Sequence, residues 1–331
     1  MKNIFEEKDI LVTGGCGSIG SEIVRQLLQY NPKRVRIFDN SEKEHFFLKD
    51  KIDSKVTRHL VGDIRDRDRL DRAMKGVDIV FHAAALKHVS LCEYNPFEAV
   101  QTNVVGTQNI IISAIQNNVE KVIGISTDKA VNPINTMGAS KLLSEKLLVN
   151  SPIVESDTVF SCVRFGNVLA SSGSVIPIFK EQIENGKDIT ITSDNMTRFF
   201  MTISEAVSLV LKTAEKMVGG EIFVLKMKSL RIRDLAEVMI EELSPRYGRN
   251  PKSVKIKYLG VRPGEKLYES LTTPEEMPFV EEQEDMFVIN NPLLFPPKLD
   301  NGIKHANYCS DTVHLLSKKE IKDLLYKYKI I

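Results

Sequence analysis

The chain has 331 residues, 45 basic and 44 acidic side chains, and 42% hydrophobic residues. A net charge of +1 excludes a strongly basic nucleic-acid surface or a polybasic membrane surface. The hydrophobic content is enough for one large core or two modest ones. The four cysteines are far apart and show no C-x-x-C spacing, which excludes a disulfide framework or a zinc site built on that spacing. The N-terminus is polar and no apolar stretch is long enough to cross a bilayer, so we expect a cytoplasmic protein without a signal peptide or a metal.

A strand, a glycine-rich loop and a helix open the chain. The apolar run Asp9–Thr13 predicts a buried strand, and an apolar-periodic helix is expected through about Tyr30. Between them, glycines let the backbone turn tightly and approach a pyrophosphate, and the helix N-terminus offers free N–H groups. The sequence therefore predicts a dinucleotide site that uses Gly14, Gly17, Ser18, Ile19 and Gly20.

Acidic residues follow the next two predicted strands. Asp39 ends the strand Val35–Phe38 and lies 19 residues after Gly20, where a carboxylate can accept hydrogen bonds from the adenosine ribose. A carboxylate there would repel a 2′-phosphate, so it favours NAD over NADP; the alternative is that Asp39 caps a helix. Asp63 and Ile64 follow a strand that ends at residue 61 and are expected at the adenine.

The fourth predicted strand, Val77–Phe81, runs into small side chains. Ala83, Ala84 and Ala85 leave room for a cofactor to lie against the backbone. Lys87 follows where a substrate could reach it, and we rank it above His88, because a lone histidine is more often structural. Asn103, amid apolar neighbours of a helix expected from Asn95 to about Asn118, predicts a buried hydrogen bond that braces the adjacent strand.

The predicted chemistry lies after the fifth strand, Lys121–Ile125. In an open α/β sheet, ligands bind beyond the carboxyl ends of the strands, so Asp128 and Lys129 would project an acid and an amine toward a ligand. A helix follows from about Met137, which shares one helix face with Lys141. The alternative for Asp128 and Lys129 is a solvated ion pair.

Strand and helix alternate five times before residue 150, and a further strand is expected at Thr158–Val163. This pattern predicts a parallel, doubly wound sheet of the Rossmann type with a smaller α/β domain. We expect residues 1–168 and 196–226 to form the NAD-binding domain and residues 169–195 and 227–331 the smaller, substrate-binding domain. A capping box at Ser317 predicts a final helix.

With these segments in place, the chain resembles the extended short-chain dehydrogenase/reductase superfamily. More closely, it is similar to nucleotide-sugar 4,6-dehydratases of polysaccharide biosynthesis that act on N-acetylglucosamine nucleotides. The segments that carry the resemblance are Thr13–Gly20, Ala84–Val89, Ser126–Ala130, Arg164–Asn167, Met196–Phe199 and Arg262–Lys266. The superfamily has a tyrosine four residues before its lysine, whereas this chain has Met137, and a thioether is not a base. The branch with methionine resembles the C5-retaining enzymes.

The resemblance implies an internal redox cycle with NAD, in which UDP-N-acetylglucosamine loses water and becomes the 4-keto-6-deoxy sugar. Lys129 would take the C5 proton, Asp128 would protonate the departing C6 hydroxyl, Thr127 would relay the 4-hydroxyl proton, and Lys141 would hold the nicotinamide ribose. Burial, Lys141 and the cofactor charge would lower the pKa of Lys129, and Asp128 would raise it. The implied substrate-binding residues are Lys87, Asn167, Ser174, Val175, Arg198, Arg262 and Glu265. Among them, Arg198 and Arg262 would meet the diphosphate, and Glu265 the nucleotide ribose; the alternative for Arg262 and Glu265 is a surface ion pair.

Several alternatives stay open at this point. The nucleotide could be GDP, the enzyme could invert C5, or it could be a sugar-nucleotide 4-epimerase that has no use for Asp128 and Lys129 at C6. A non-catalytic NAD-binding sensor, disabled by Met137, is a further alternative. The superfamily also implies a homo-oligomer, a dimer or larger.

Overall fold

The computed structural model describes residues 3–52, 54–153, 156–169, 174–261, 263–297 and 307–331. The strands are β1 (Asp9–Thr13), β2 (Arg34–Asp39), β3 (Thr57–Val61), β4 (Ile79–His82), β5 (Lys121–Ile125), β6 (Val159–Arg164), β7 (Asn167–Val168), β8 (Ile189–Ile191), β9 (Thr197–Met201), β10 (Ile222–Leu225), β11 (Lys228–Arg231), β12 (Ile256–Tyr258), β13 (Val280–Glu282) and β14 (Met286–Ile289). The helices are α1 (Ser18–Leu27), α2 (Glu42–Lys51), α3 (Arg67–Met74), α4 (Val89–Tyr94), α5 (Pro96–Ala99), α6 (Gly106–Gln116), α7 (Thr136–Asn150), α8 (Val175–Glu184), α9 (Ile203–Lys216), α10 (Ile232–Leu243) and α11 (Lys318–Lys327). A π-helical stretch, Val100–Val105, joins α5 to α6.

The large sheet has nine strands in the order β13-β14-β10-β6-β5-β4-β1-β2-β3. The pairings from β10 through β6, β5, β4, β1 and β2 to β3 are all parallel, as predicted. The strand order reverses between β1 and β4, where Thr13 is the partner of His82. This switch point opens a crevice at the carboxyl ends of both strands, the usual ligand position in such a sheet.

The predicted Rossmann fold class is confirmed, and the predicted bounds of β1 and β5 agree with the structure. Two edge strands of the large sheet are not among the strands predicted from the sequence. Residues Met286–Ile289 pair antiparallel with β10, and Val280–Glu282 pair antiparallel with β14, so part of the segment assigned to the second domain extends the large sheet.

Two large hydrophobic cores and one small cluster around Met137 are present among the described residues. The larger core covers both faces of the nine-stranded sheet, and the smaller one is built by α8, α10, α11 and the short strands β8 and β9. A three-stranded sheet, β11-β9-β7, contributes side chains to both large cores, and a two-stranded sheet, β12-β8, packs on the smaller one. The division of the chain into two domains stays a prediction.

The helix predicted to begin at Asn95 is interrupted by the π-helical stretch, which contains the buried Asn103. Asn103 accepts a hydrogen bond from the Leu86 amide and donates to the Leu86 carbonyl and to Ser140 Oγ, at 2.8, 3.0 and 2.9 Å. The predicted brace is therefore present, and it holds the loop after β4 against α7. Within the described parts of the chain, no helix combines the length and the apolar character needed to cross a membrane.

Candidate active site

The glycine loop after β1 is packed too closely for side chains. Gly14 has φ +63°, and a Cβ there would lie 2.6 Å from the Ala84 amide nitrogen. At Gly20 a Cβ would lie 2.1 Å from the Gly14 carbonyl oxygen. The N-cap of α1 is Gly17, without a side-chain cap, so the first N–H groups of the helix are left for a ligand. The loop therefore fits the pyrophosphate of a dinucleotide.

A cleft of about 750 Å³ lies over this loop and the ends of β1, β2, β4 and β5. The predicted cofactor residues that line it are Gly14, Gly17, Ser18, Ile19, Gly20, Asp39, Asp63, Ile64, Ala83, Ala84, Ala85 and Lys141. The structure brings this whole set together in one crevice at the switch point of the sheet.

The two carboxylates predicted at the adenosine end have different surroundings. Asp39 accepts hydrogen bonds from the amides of Cys16 and Ser41, both at 3.1 Å. The cap of α2 is Ser41, so the alternative in which Asp39 caps that helix is wrong. Asp63 accepts from the guanidinium of Arg65 at 2.7–3.0 Å, and this pairing lowers the pKa of Asp63.

Asp128 and Lys129 begin a short 3-10 turn directly after β5. Asp128 is fully buried, and its Oδ1 accepts from Lys129 Nζ and Thr127 Oγ1, both at 2.9 Å. Its other oxygen, Oδ2, is buried and has no hydrogen-bond partner among the described residues. Lys129 Nζ also lies 3.4 Å from Asn167 Oδ1, and its side chain is 24% exposed. Because Thr127 and Lys129 line the cleft, the pair is not a solvated surface ion pair.

Opposing effects set the charge of Lys129. Burial lowers its pKa, but the carboxylates of Asp128 and Glu269 outweigh burial, so the pKa of Lys129 is raised. The lysine is therefore an ammonium in the free protein. The net shift in the pKa of Lys129 is thus in the direction expected from Asp128 and not in the direction expected from burial.

Lys141 and Met137 lie side by side on α7, and both line the cleft. Lys141 Nζ donates to the Ile125 carbonyl at 2.6 Å, and burial lowers the pKa of Lys141. Met137 is 3% exposed and packs with Cys92, Ala99 and Val89. The methionine thus brings an apolar surface to the position where the superfamily has a phenol.

The predicted substrate residues divide into two groups. Lys87, Asn167, Ser174 and Val175 line the cleft, and burial lowers the pKa of Lys87. Ser174 is the N-cap residue of α8, and its buried Oγ has no hydrogen-bond partner among the described residues.

Two further predicted substrate residues, Arg198 and Glu265, are not among the residues that line the cleft. Arg198 is buried, and its guanidinium donates to the carbonyls of Thr197, Lys266 and Leu267. Glu265 Oε1 lies 3.8 Å from Arg198 Nη2, and both carboxylate oxygens of Glu265 lie 3.4 Å from Thr192 Oγ1. Arg262 lies outside the described residues. The diphosphate and ribose roles of these three stay predictions.

Two features of the site were not found from the sequence. Glu269 is 3% exposed and its Oε1 lies 3.9 Å from Lys129 Nζ. Ser126, next to Thr127, donates at 2.8 Å to Glu145, which pairs with the buried Arg164. The sequence offers one signal for Glu269, its position just after the Arg262–Lys266 motif. The residue type and its neighbours in sequence predict neither its burial nor its contact with Lys129. No group of residues that could hold a metal ion occurs within the described ranges.

Solved structures with this architecture define the class. Pen of Bacillus thuringiensis matches with a TM-score of 0.94 and 44% identity, over 99% of both chains. DesIV of Streptomyces venezuelae, a dTDP-glucose 4,6-dehydratase crystallised with NAD, matches with a TM-score of 0.69 and 25% identity, over 78% of this chain and 86% of that one. The fold is that of the short-chain dehydrogenase/reductase dehydratases and epimerases.

The chain belongs to the polysaccharide biosynthesis protein family, whose sequence profile matches residues 10–291. An uncharacterized membrane protein of Methanocaldococcus jannaschii is 54% identical over 98% of this chain and 97% of its own length. The UDP-N-acetylglucosamine 4,6-dehydratase (inverting) of Campylobacter jejuni is 40% identical over 89% of this chain and 86% of its own. A UDP-glucose 4-epimerase of Rickettsia rickettsii is also 40% identical, over 97% and 96%. The relatives with named activities are thus nucleotide-sugar 4,6-dehydratases and epimerases.

Proposed function

We propose that this protein is an NAD-dependent lyase that removes water from UDP-N-acetylglucosamine and gives the 4-keto-6-deoxy sugar. The observation that carries this proposal is the pair Asp128 and Lys129, an acid and an amine 2.9 Å apart at the cleft end of the central strand β5. An epimerase needs one group at C4, whereas loss of the C6 hydroxyl needs both a base for C5 and an acid for C6.

The cofactor is NAD, as predicted, and the cleft supports it with a tight glycine loop, an uncapped N-terminus of α1 and the carboxylate of Asp39. When bound, NAD supplies a reversible hydride acceptor for the sugar. Lys141 lines the same cleft and is held at 2.6 Å by the Ile125 carbonyl, which suits it to hold the nicotinamide ribose.

The proton transfers fall to three consecutive residues. The Thr127 hydroxyl already donates to Asp128, so a proton leaving the 4-hydroxyl of the sugar has a path to that carboxylate. Lys129, once neutral, takes the C5 proton, which the neighbouring C4 ketone makes acidic. Protonated Asp128 then gives its proton to the C6 hydroxyl as water leaves. The burial of Asp128 keeps water from competing for that proton.

The nucleotide part of the substrate is assigned to the far side of the cleft. Ser174 and Val175 begin α8, whose N-terminal N–H groups and dipole suit a diphosphate, and Asn167 adjoins them in the cleft. Lys87 lies in the same cleft. Arg198, Arg262 and Glu265 complete the proposed nucleotide site through the family motif.

Met137 supports retention at C5. A C5-inverting enzyme must return a proton to the opposite face of the sugar, and a thioether supplies none. The Campylobacter relative is named an inverting dehydratase, so the configuration of the product distinguishes the two outcomes.

The test is to incubate the protein with UDP-N-acetylglucosamine and, separately, with GDP-N-acetylglucosamine. We expect mass spectrometry to find a product lighter by one water from the UDP sugar. In deuterated water, NMR should show deuterium at C5 and the D-configuration. If only the GDP sugar gives a product lighter by one water, the substrate is the GDP sugar. An L-configured product would show that the enzyme inverts C5.

The second candidate is a sugar-nucleotide 4-epimerase, because a relative of that name aligns over 97% of this chain. It would give a product of unchanged mass with the C4 hydroxyl inverted. Appearance of that isomer alone, from UDP-N-acetylglucosamine or UDP-glucose, would replace the dehydratase assignment.

A further inference from the structure

Glu269 is a second buried carboxyl beside the Asp128–Lys129 pair. Its Oε1 lies 3.9 Å from Lys129 Nζ, and its Oε2 is buried without a hydrogen-bond partner among the described residues. Its backbone is fixed, because its amide donates to Ser310 Oγ at 3.0 Å and its carbonyl accepts from the Ser310 amide at 2.8 Å. The carboxyl therefore lies next to the lysine ammonium and is shielded from water.

Four charged groups face Glu269 from the surrounding segments. Lys129 and Asp128 approach from the end of β5, Arg198 Nε from β9 at 3.9 Å, and Lys266 from the same loop as Glu269. Arg198 donates three hydrogen bonds to backbone carbonyls, and Lys266 Nζ donates to the Val131 carbonyl at 2.7 Å. Burial, aided by the Asp128 charge, raises the pKa of Glu269 although these three cations oppose it.

The proton count of the proposed reaction needs such a group. In the free protein, Asp128 and Lys129 share one exchangeable proton across their hydrogen bond. This proton resides on Lys129, which is an ammonium. When the 4-hydroxyl proton reaches Asp128, the pair carries two. Lys129 is then still an ammonium and has no lone pair for the C5 proton. An acceptor within reach of Lys129, other than Asp128, must remove one proton first.

We infer that Glu269 is this acceptor: a positioning residue that takes a proton from the Lys129 ammonium, so that the neutral amine can attack C5. The inference rests on the proposed function. A lysine side chain covers the 3.9 Å gap by a small rotation about its terminal bonds, whereas Asn167, its other polar neighbour, has no basic atom.

The proton transfers balance. The O–H bond at C4 breaks and its proton passes by Thr127 to Asp128, while one Lys129 N–H proton passes to Glu269. The C5–H bond then breaks toward the Lys129 amine, and Asp128 gives its proton to the C6 oxygen as the C6–O bond breaks and water leaves. Lys129 returns a proton to C5, and Glu269 returns its own to Lys129. The hydride that leaves C4 returns to C6 by way of NAD, when bound, so that the C4 oxygen ends as a ketone. The three side chains then end as they began, and the sugar has lost one water.

The test uses the full-length protein and the variant Glu269→Gln, which removes the charge at nearly constant volume. The first readout is the pH midpoint of Lys129 acetylation by acetic anhydride, followed by mass spectrometry on the free protein. The second is kcat and KM with UDP-N-acetylglucosamine. The matched control is Glu241→Gln on α10, an exposed glutamate of the second half of the chain.

We expect Glu269→Gln to move the Lys129 midpoint to lower pH, because one carboxylate that stabilises the ammonium is gone, and to lower kcat at least about tenfold with KM within about twofold. Glu241→Gln should change neither readout. An unchanged Lys129 midpoint or a wild-type kcat in Glu269→Gln would overturn the inference. If thermal melting shows that this variant does not fold, Glu269→Asp decides in its place: a lower kcat and a midpoint below the wild-type value support the inference, and wild-type values overturn it. Failure of the wild type to form the dehydrated product would refute the proposed function, while the acetylation midpoint would still report whether Glu269 acts on Lys129.

Discussion

Arg164 Nη2 lies 2.6 Å from Glu145 Oε1, and both side chains are buried. The same guanidinium donates to both carboxylate oxygens of Glu276, at 2.7 and 2.9 Å. Because Glu145 also accepts from Ser126, this ion triad connects the loop that carries Thr127 to α7 and to the C-terminal segment. The arrangement joins residues more than 100 positions apart in the chain.

Breaking this triad on one side should be costly. Arg164→Met leaves two buried or half-buried carboxylates without their cation, and we expect a loss of about 3–5 kcal/mol in the free energy of unfolding. The double variant Arg164→Met/Glu145→Leu should recover part of that loss, because the deepest carboxylate is removed as well. Urea denaturation measures both. A double variant no more stable than Arg164→Met would contradict this account of the triad.

The buried His82 should make stability depend on pH. Its Nδ1 lies 2.8 Å from Thr13 Oγ1 and its Nε2 3.1 Å from Thr107 Oγ1, and burial, aided by Lys141, lowers the pKa of His82 to about 3. The unfolded chain, with a histidine pKa of 6.5, binds the proton first as the pH falls. Stability is therefore lost between pH 6.5 and 3, by about 1.4 kcal/mol per pH unit well below 6.5.

Denaturation at pH 7, 6 and 5 measures this dependence, in a range where most carboxylates stay ionised. His82→Asn should be less stable at pH 7 but should show a flatter dependence than the wild type over the same range. Parallel pH dependences in the two proteins would show that another group is responsible.

Gly14→Ala should abolish NAD binding, because its Cβ would lie 2.6 Å from the Ala84 amide in the loop that lines the cleft. Gly76→Ala is the matched control, since Gly76 has a similar φ of +68° but open space around it. The control should lose only about 1 kcal/mol of stability from backbone strain and keep its affinity for NAD. Calorimetric titration with NAD, together with thermal melting, separates the two effects. Equal NAD affinities would contradict the close packing at Gly14.

The prediction of NAD over NADP depends on Asp39. Asp39→Asn keeps the size of the side chain and removes its charge, so we expect the Kd for NAD to rise about tenfold and the preference over NADP to narrow. Asp50→Asn, on the exposed side of α2, is the control and should bind both cofactors as the wild type does. Fluorescence titration with each cofactor gives the ratio of the Kd for NADP to the Kd for NAD. An unchanged ratio in Asp39→Asn would show that Asp39 does not determine the preference for NAD.

Local patterns in the sequence were sufficient for much of this architecture. The alternation of strand and helix predicted the parallel sheet, and the apolar run Lys121–Ile125 located the central strand β5 and the polar residues at its end. The capping box of α11 was also predictable, because the motif is complete within four residues. The side chains of Ser317 and Glu320 each accept a hydrogen bond from the other's backbone N–H. Such features depend on neighbours along the chain and can be found without a structure.

Features that depend on distant residues could not be predicted. The Arg164 triad and the contact of Glu269 with Lys129 join residues that are more than 100 positions apart in the chain, and nothing near Glu269 in sequence indicates burial. The edge strand β14 was not predicted, because it forms by pairing with β10, which is distant in sequence. Oligomeric state and cellular location stay predictions from the sequence.

The most direct test of the central claim is the rate of dehydration in Asp128→Asn and Lys129→Ala. With UDP-N-acetylglucosamine and NAD, we expect kcat for the 4-keto-6-deoxy product to fall at least about 100-fold in each variant. Thermal melting and NAD affinity close to wild type would show that the site is otherwise intact. Wild-type rates of product formation in both variants would contradict the claim that this acid and this amine perform the elimination.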